Sequence, residues 1–189
     1  MNNMRFLLIS LLTSLLSACA TPPSLAPQAW LKPGVSVTLP PSGIMPPINR
    51  QQLLTVLVDG KTHSLMTLLE ADEHQLVLVG MTTLGIRLFK ITYDADGIHT
   101  EQSVVMQELP PATQVLADIM LSYWPVPAWQ VRLPSGWTLR DENSHRTLYN
   151  ADNQLVTEIE YAGTNRSPVG IRQHAFGYQL SIENLDEAP

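Results

Sequence analysis

Short apolar runs that alternate with turn signals occupy most of this chain, and this pattern constrains its fold more than any other feature. The first block of runs is separated by short links that contain Gly or Asp, and such links are typical of β-hairpins. Asp59-Gly60 is the strongest of these turn signals. An antiparallel meander is therefore predicted for the block, which consists of Leu53–Val58, His63–Leu69, Gln75–Met81, Ile86–Tyr93 and Ile98–Ser103.

A second block of strand-like runs follows and has a cleaner alternation of apolar and polar residues. In one run Leu155, Thr157, Ile159 and Tyr161 share a face opposite Glu158. Strands of this kind have one buried and one wet face, as antiparallel sheets usually do. The block comprises Trp137–Asp141, Arg146–Asn150, Gln154–Tyr161 and Gly170–Glu183, the last being two strands or one long bent strand.

Between the blocks, Ala112 to Trp124 is predicted to form a helix of about three turns. Proline precedes and follows it, as expected at helix limits. Apolar residues recur at helical spacing and form one broad stripe, with Gln114, Asp118 and Ser122 elsewhere. The helix either packs on the sheet or forms a lid over an apolar cavity. The stripe consists of Val115, Leu116, Ile119, Met120, Tyr123 and Trp124.

Two runs of the first block, Leu53–Val58 and Leu76–Met81, are apolar on both faces and so need cover on both. With one convincing helix, the sequence favours a mostly β fold, in which a curved antiparallel sheet surrounds an apolar interior. A closed sandwich or barrel without a cavity remains an alternative. The candidate ligand-binding residues are Met81, Leu116, Met120, Trp124 and Trp129. The two tryptophans border an opening for an acyl chain or wedge the helix against the second block.

Catalytic constellations are missing from the sequence. The five histidines are scattered without the i, i+4 spacing of a helical zinc site. There is no nucleophile elbow and no glycine-rich phosphate loop. We therefore expect no enzymatic activity, no metal and no cofactor; a hydrolase would require a histidine near Ser or Asp in space. Acidic residues outnumber basic ones by 17 to 11, which argues against a nucleic-acid partner.

The N-terminus has the parts of a secretory signal, with one cation at Arg5, an apolar run and small residues before Cys19. Leu16-Ser17-Ala18-Cys19 resembles the lipobox of bacterial lipoproteins, which implies lipid attachment by diacylglycerol and acyl groups such as palmitate at Cys19. An ordinary signal peptide with an accidental cysteine is the alternative. Because the next residue is Ala20 rather than Asp, the resemblance implies an outer-membrane anchor that faces the periplasm.

Three segments are expected from this pattern. Residues 1–18 form the signal peptide, 19–49 the lipidated cysteine with a proline-rich tether, and 50–189 a single β-rich domain. Prolines favour extended chain, so the tether is expected to act as a semi-rigid spacer. Alternatively, part of it, from Trp30 to Leu39, is expected to lie against the domain.

The lipobox, the tether and two short runs, Leu84–Phe89 and Leu116–Pro125, together resemble a family of bacterial lipoproteins without an assigned activity. Its members are often encoded with genes for aryl-polyene pigment biosynthesis. The layout is more distantly similar to the lipoprotein carrier and receptor LolA and LolB, which implies an unclosed half-barrel with helices on its concave side. The expected function is binding or positioning of a hydrophobic ligand, such as an aryl-polyene lipid, during envelope transport. The alternative is a non-enzymatic lipoprotein that docks an envelope partner.

Overall fold

A computed structural model of the protein describes residues 26–102 and 111–186. Cys19 and the signal-like segment lie outside the described residues, as does Ser103, the predicted end of one strand. Within the described part the fold is mostly β, as predicted, with twelve strands and two helices.

Ten strands form one antiparallel sheet, and two meanders meet in its middle. The first meander runs through β3 to β7 and the second through β8 to β12, and the two are joined where β12 pairs with β3. The edges β7 and β8 do not pair with each other, so the sheet is unclosed. The strands are β3 (Ile48–Val58), β4 (Lys61–Ala71), β5 (Leu76–Met81), β6 (Arg87–Asp94), β7 (Gly97–Gln102), β8 (Thr138–Glu142), β9 (His145–Tyr149), β10 (Leu155–Ala162), β11 (Ser167–Gln173) and β12 (Tyr178–Asn184).

The turn between β3 and β4 confirms the strongest hairpin signal of the sequence. Val58 pairs with Lys61, which leaves Asp59-Gly60 as a two-residue turn. Both turn residues have positive φ, 49° at Asp59 and 73° at Gly60. Positive φ at both central positions matches the right-handed twist of the flanking strands and is tolerated by Asp and Gly.

The two helices follow one another between the meanders. Helix α1 (Ala112–Tyr123) confirms the predicted helix, and α2 (Val126–Gln130) adds a short second one that the sequence pattern did not indicate. Pro111 stands at the N-cap of α1 and Pro125 at the N-cap of α2. Proline lacks a backbone N–H and is therefore favoured at the limits of helices.

The sheet curves around α1, because five of its strands reach this helix with a hydrogen-bonding side chain. Adjacent strands lie about 4.8 Å apart, so β9 and β3 would be roughly 19 Å apart in a flat sheet. A helix is only about 10 Å wide, and both strands nevertheless contact it. The side chains that donate to α1 are Gln52 of β3, Arg146 of β9, Tyr161 of β10, Gln173 of β11 and Tyr178 of β12.

A small hairpin, β1 (Gln28–Lys32) with β2 (Val35–Thr38), packs against α1. Ala29, Leu31, Val37 and Leu39 are buried in the core. This is the position that the alternative for Trp30 to Leu39 anticipated, and the packed part of the described chain therefore begins well before residue 50. Two further hydrogen bonds hold the chain after the hairpin: Tyr93 Oη donates to Pro40 O (2.8 Å) and Trp124 Nε1 donates to Pro41 O (3.0 Å).

The second face of the first block is only half-buried, where the sequence led us to expect full cover. Along β5 the buried Leu76 and Leu78 alternate with half-exposed Val77, Val79 and Met81. Aliphatic neighbours on the adjoining strand, such as Leu68 opposite Val79, supply part of the cover. Cross-strand contacts of this kind bury apolar side chains without a second layer.

Candidate functional site

An apolar cavity of about 90 Å³ lies between α1 and the sheet. Six neighbouring strands, from β6 across to β11, contribute to its wall, so it occupies the concave side of the curved sheet. Its lining is mostly aliphatic and aromatic. The lining residues are Gln52, Leu54, Val56, Leu65, Thr67, Leu78, Phe89, Val115, Asp118, Ile119, Ser122, Tyr123, Ile171, Tyr178, Leu180 and Ile182.

Helix α1 has two buried faces, and only one of them borders the cavity. The cavity face consists of Val115, Asp118, Ile119, Ser122 and Tyr123, at the i, i+3, i+4, i+7, i+8 spacing of one helical stripe. The opposite face is packed in the core, where the β1–β2 hairpin covers the helix. That second face consists of Leu116, Ala117, Met120, Leu121 and Trp124.

Asp118 places a carboxylate in the wall of this apolar cavity, with only 7% of its surface exposed. Tyr178 Oη donates to one carboxylate oxygen and Gln173 Nε2 to the other. Gln114 supplies a third side-chain hydrogen bond. Thr157 Oγ1 donates to Gln173 Oε1 (2.9 Å) and so fixes the orientation of the Gln173 amide.

Burial raises the pKa of Asp118 from 3.8 to about 6, because the charged form loses its hydration. The hydrogen bonds from Tyr178, Gln173 and Gln114 act in the opposite direction and lower the pKa, but burial dominates. Burial also raises the pKa of Tyr178, and the neighbouring Asp118 charge raises it further. Tyr178 therefore stays a neutral donor while Asp118 is ionised at neutral pH.

Gln52 and Thr67 also line the cavity. Gln52 Nε2 donates to Asn184 Oδ1 (2.8 Å) and, more weakly, to Tyr123 Oη (3.3 Å). Thr67 is fully buried, and its hydroxyl has no hydrogen-bond partner among the described residues. A buried hydroxyl without a partner costs free energy, so this atom is a place where a bound molecule would find a hydrogen bond.

The C-terminal end of α1 is held firmly by the second meander. Arg146 Nη1 donates to Leu121 O and Trp124 O, both at 2.7 Å, and Tyr161 Oη donates to Ser122 O at 2.7 Å. Arg146 also forms a bidentate pair with Asp141, at 2.7 and 2.8 Å. These donors satisfy carbonyl groups that a helix end otherwise leaves without partners.

Among the described residues, the N-terminal end of α1 has fewer attachments than its C-terminal end. No side chain among the described residues forms a capping hydrogen bond at this end, where Pro111 is the N-cap residue, and the first turn carries no acidic residue. A helix without a capping side chain is less stable by roughly 1 kcal/mol than the same helix with one. The helix is therefore pinned at its C-terminal end and held near its middle by the bonds to Asp118.

The structure places none of the five predicted ligand-binding residues in the lining of this cavity. Leu116 and Met120 lie on the other face of α1, and Trp124 and Trp129 are fully buried in the core. Trp129 Nε1 donates to Met120 O at 3.0 Å, and neither tryptophan lines this cavity. Met81 pairs with Met66 on the face of the sheet turned away from α1. Cys19 lies outside the described residues.

Asp118 and Thr67 are the site residues that sequence reasoning missed. The sequence pattern places Asp118 outside the single apolar stripe of the helix, whereas α1 is buried on two sides. A signal was present: Gln114, Asp118 and Ser122 form a narrow polar line at i, i+4 and i+8, with apolar residues on both flanks. Thr67 gave no signal, because a threonine in a strand is ordinary.

A second depression, of about 360 Å³, lies on the outer face of the second meander. Glu158 lines it, with Arg172 Nη1 at 3.4 Å and nitrogen atoms of His145 and His174 at 3.9 Å from its carboxylate. Within residues 26–102 and 111–186, no group of three or more His, Cys, Asp or Glu side chains is arranged to hold a metal ion. The Arg172–Glu158 pair is partly exposed and contributes little to stability.

A comparison with protein-family models matches residues 49–186 to the family described as "Protein of unknown function (DUF3261)". The chain belongs to this family. Every residue that lines the cavity falls within the matched range, whereas the β1–β2 hairpin precedes it. The cavity is thus built from the part of the chain that defines DUF3261. A comparison with curated proteins finds no match.

None of the helices in the described part of this DUF3261 protein has the length and apolar character needed to cross a membrane.

Proposed function

We propose that this protein is a non-enzymatic, lipid-anchored outer-membrane protein whose periplasmic domain binds a hydrophobic ligand between α1 and the curved sheet. The observation that carries the proposal is the apolar cavity on the concave side of the sheet, enclosed by a single helix. A concave, mostly apolar site with a few polar groups is typical of binding sites for small molecules. The described lining contains no His, Cys or Lys that would serve as base or nucleophile.

The proposed anchor rests on the sequence. Leu16-Ser17-Ala18-Cys19 has the form of a lipobox, and Ala20 in place of Asp favours the outer membrane. Each buried CH₂ of an acyl chain contributes roughly 0.8 kcal/mol, so two or more chains give stable attachment. A domain attached in this way would meet hydrophobic ligands at the inner face of that membrane.

Ligand entry requires α1 to move, because the cavity of about 90 Å³ is much smaller than ligand pockets of roughly 300–1,000 Å³. The hydrogen bonds from Arg146 and Tyr161 hold the C-terminal end of the helix. The N-terminal half, which carries Val115, is the part that can swing away from the sheet. Helix α1 would then act as a lid whose own side chains fill the site when no ligand is bound.

A neutral fluorescent probe, N-phenyl-1-naphthylamine, tests this proposal. The protein to use is the full mature chain with Cys19→Ser, so that no acyl group competes. We expect saturable binding by this chain and a loss of about tenfold or more in affinity with Ile119→Phe, because the larger ring occupies the cavity. Val131→Phe is the matched control: Val131 is 79% exposed and does not line the cavity, so it should leave binding unchanged.

Two results would contradict the proposal. One is the absence of saturable probe binding by the parent chain, and the other is equal binding by the Ile119→Phe and Val131→Phe variants. Circular dichroism of both variants shows whether the fold is retained, and hence whether a loss of binding reflects a filled cavity.

An aryl-polyene lipid is the cargo that the family resemblance suggests. Native mass spectrometry of the protein isolated from the envelope of a strain that makes such pigments tests this identity. A mass excess that resolves into a polyene on denaturation is the expected result. Recovery of a different lipid would support the binding function and show that the cargo is not an aryl-polyene lipid.

Docking of an envelope partner is the second candidate, and one observation favours it. At the turn between β5 and β6, Leu84 is 87% exposed and Ile86 is 59% exposed. Exposed apolar side chains side by side are typical of contact sites. A photo-crosslinking residue at position 84 that yields one defined protein adduct in the envelope, with no probe binding by the isolated protein, would favour docking over ligand binding.

A further inference from the structure

We propose that the cavity selects an uncharged hydrophobic molecule that carries a hydroxyl group, which Asp118 and Thr67 recognise, and that it rejects molecules with an anionic head. This inference rests on the proposed function and specifies its ligand class. It is argued from three features of the lining: an acceptor with spare capacity, a hydroxyl without a partner, and the sign of the charge.

Asp118 has room for one more hydrogen-bond donor. A carboxylate offers about four acceptor positions on its two oxygens. The described side chains that donate to it are three, namely Tyr178, Gln173 and Gln114. Because Asp118 is itself part of the cavity wall, a donor on a bound molecule can reach the remaining position. Hydrogen bonds to a charged acceptor are about twice as strong as neutral ones.

Thr67 is the second, independent indication of a polar ligand group. Thr67 lines the same cavity and is fully buried, and its hydroxyl has no partner among the described residues. Buried polar groups are nearly always hydrogen-bonded in native proteins, so an unpartnered one in a cavity wall indicates a group that is bound during function. A hydroxyl both donates and accepts, and it is therefore suited to a wall that offers a carboxylate and another hydroxyl.

The charge of the lining decides against anionic heads. Asp118 is the only charged side chain among the described lining residues, and no Lys, Arg or His faces it there. Arg146, which contacts the C-terminal end of α1, is paired with Asp141 and with helix carbonyl groups. A buried carboxylate or phosphate head would therefore meet a like charge in a medium of low dielectric constant, which is strongly unfavourable.

Dodecanol and dodecanoate test this selectivity, because they share a chain length and differ in the head. Affinities are measured at neutral pH by displacement of N-phenyl-1-naphthylamine from the full mature chain with Cys19→Ser. We expect dodecanol to bind about tenfold or more tightly than dodecanoate. In Asp118→Asn the ratio of dodecanol affinity to dodecanoate affinity should fall to about a third or less of its parent value. The substitution removes both the charged acceptor for the alcohol and the repulsion between the carboxylate of Asp118 and that of dodecanoate. Glu183→Gln, on the exposed side of β12, makes the same change of charge and should leave the preference unchanged.

Thr67→Val provides a second variant whose two effects have opposite directions. Removal of an unpartnered buried hydroxyl should raise the midpoint of thermal unfolding of the free protein. The same substitution should weaken dodecanol binding by about threefold or more and leave dodecanoate nearly unchanged. A purely structural role for Thr67 would move stability and affinity in the same direction.

The outcomes separate this inference from the proposed function. If neither compound displaces the probe because no probe binds, the proposed function fails and the inference fails with it. If both compounds bind equally, or if the preference survives in Asp118→Asn and Thr67→Val, the ligand site stands and the proposed selectivity is wrong.

Discussion

The substitution Asp118→Asn should make the protein more stable at neutral pH, although it removes a hydrogen-bonded side chain. Burial raises the pKa of this carboxyl from 3.8 to about 6, so the folded state holds the charged form at a cost. The shift is about two units, and each unit corresponds to 1.36 kcal/mol of free energy. The ionised carboxyl therefore lowers the free energy of unfolding by up to about 3 kcal/mol.

The sign of the pH dependence follows from proton uptake. Between about pH 4 and pH 6 the folded state binds more protons at Asp118 than the unfolded state, so this group's contribution to stability falls as the pH rises. Above about pH 6 this loss of stability is complete and no longer changes with pH. Asparagine is neutral throughout, but it accepts fewer hydrogen bonds, which costs about 1 kcal/mol. We thus expect Asp118→Asn to be more stable by about 2 kcal/mol at neutral pH and slightly less stable near pH 4.

Urea unfolding at a series of pH values measures this difference directly. Other carboxylates also titrate: Arg146, mainly through its hydrogen bonds, lowers the pKa of Asp141, which opposes the effect of Asp118. Such contributions are common to both proteins and cancel in the difference between them. Among the groups that contact Asp118, only Tyr178 titrates, and its pKa is raised, so it stays neutral throughout this range. A difference that is constant from about pH 4 to pH 8 would refute the reasoning.

Two further substitutions test the attachment of α1 and the shape of the cavity. Arg146→Met should lower the free energy of unfolding by about 3 kcal/mol, because it leaves two helix carbonyls without their donor and Asp141 with only the longer hydrogen bond from Arg166. Arg172→Met on the outer face should lower it by less than about 1 kcal/mol, and urea midpoints of the two variants give the comparison. Gly80→Ala should lower the free energy of unfolding by about 1–3 kcal/mol and weaken probe binding. Its methyl group would lie 2.3 Å from the Phe89 ring and would push that ring from its place in the cavity wall. Unchanged probe affinity would show that the Phe89 ring can move without altering the cavity.

The order of elements could be predicted from the sequence because its signals are local. Turn residues such as Asp59-Gly60 and prolines at both ends of α1 fix where strands and helices begin and end. Alternation along Leu155–Tyr161 identifies the buried face of β10 without knowledge of its neighbours. Each of these features depends on residues within one turn or one strand.

The cavity could not be predicted because it depends on which elements cover which faces. The β1–β2 hairpin packs on α1, so the helix is buried on two sides and its polar line, including Asp118, faces the interior. If one helix is predicted to pack on one sheet, the polar line of Gln114, Asp118 and Ser122 is expected to face solvent. Met81 is a second example. Its strand, β5, is apolar on both faces, so the sequence does not show which of the two faces lies on the concave side of the sheet.

The energetic cost of Asp118 bears on the function of the fold. An asparagine at this position would keep the volume of the side chain and avoid the burial of a charge, so considerations of stability alone disfavour the aspartate. Buried ionisable groups with a strongly shifted pKa are concentrated at functional sites, and here the group lies in the wall of the cavity. Stability and selectivity should therefore respond oppositely to one substitution: Asp118→Asn strengthens the fold and weakens the discrimination between an alcohol and an anion. A variant that gained stability and kept its selectivity would reduce Asp118 to a structural residue of α1.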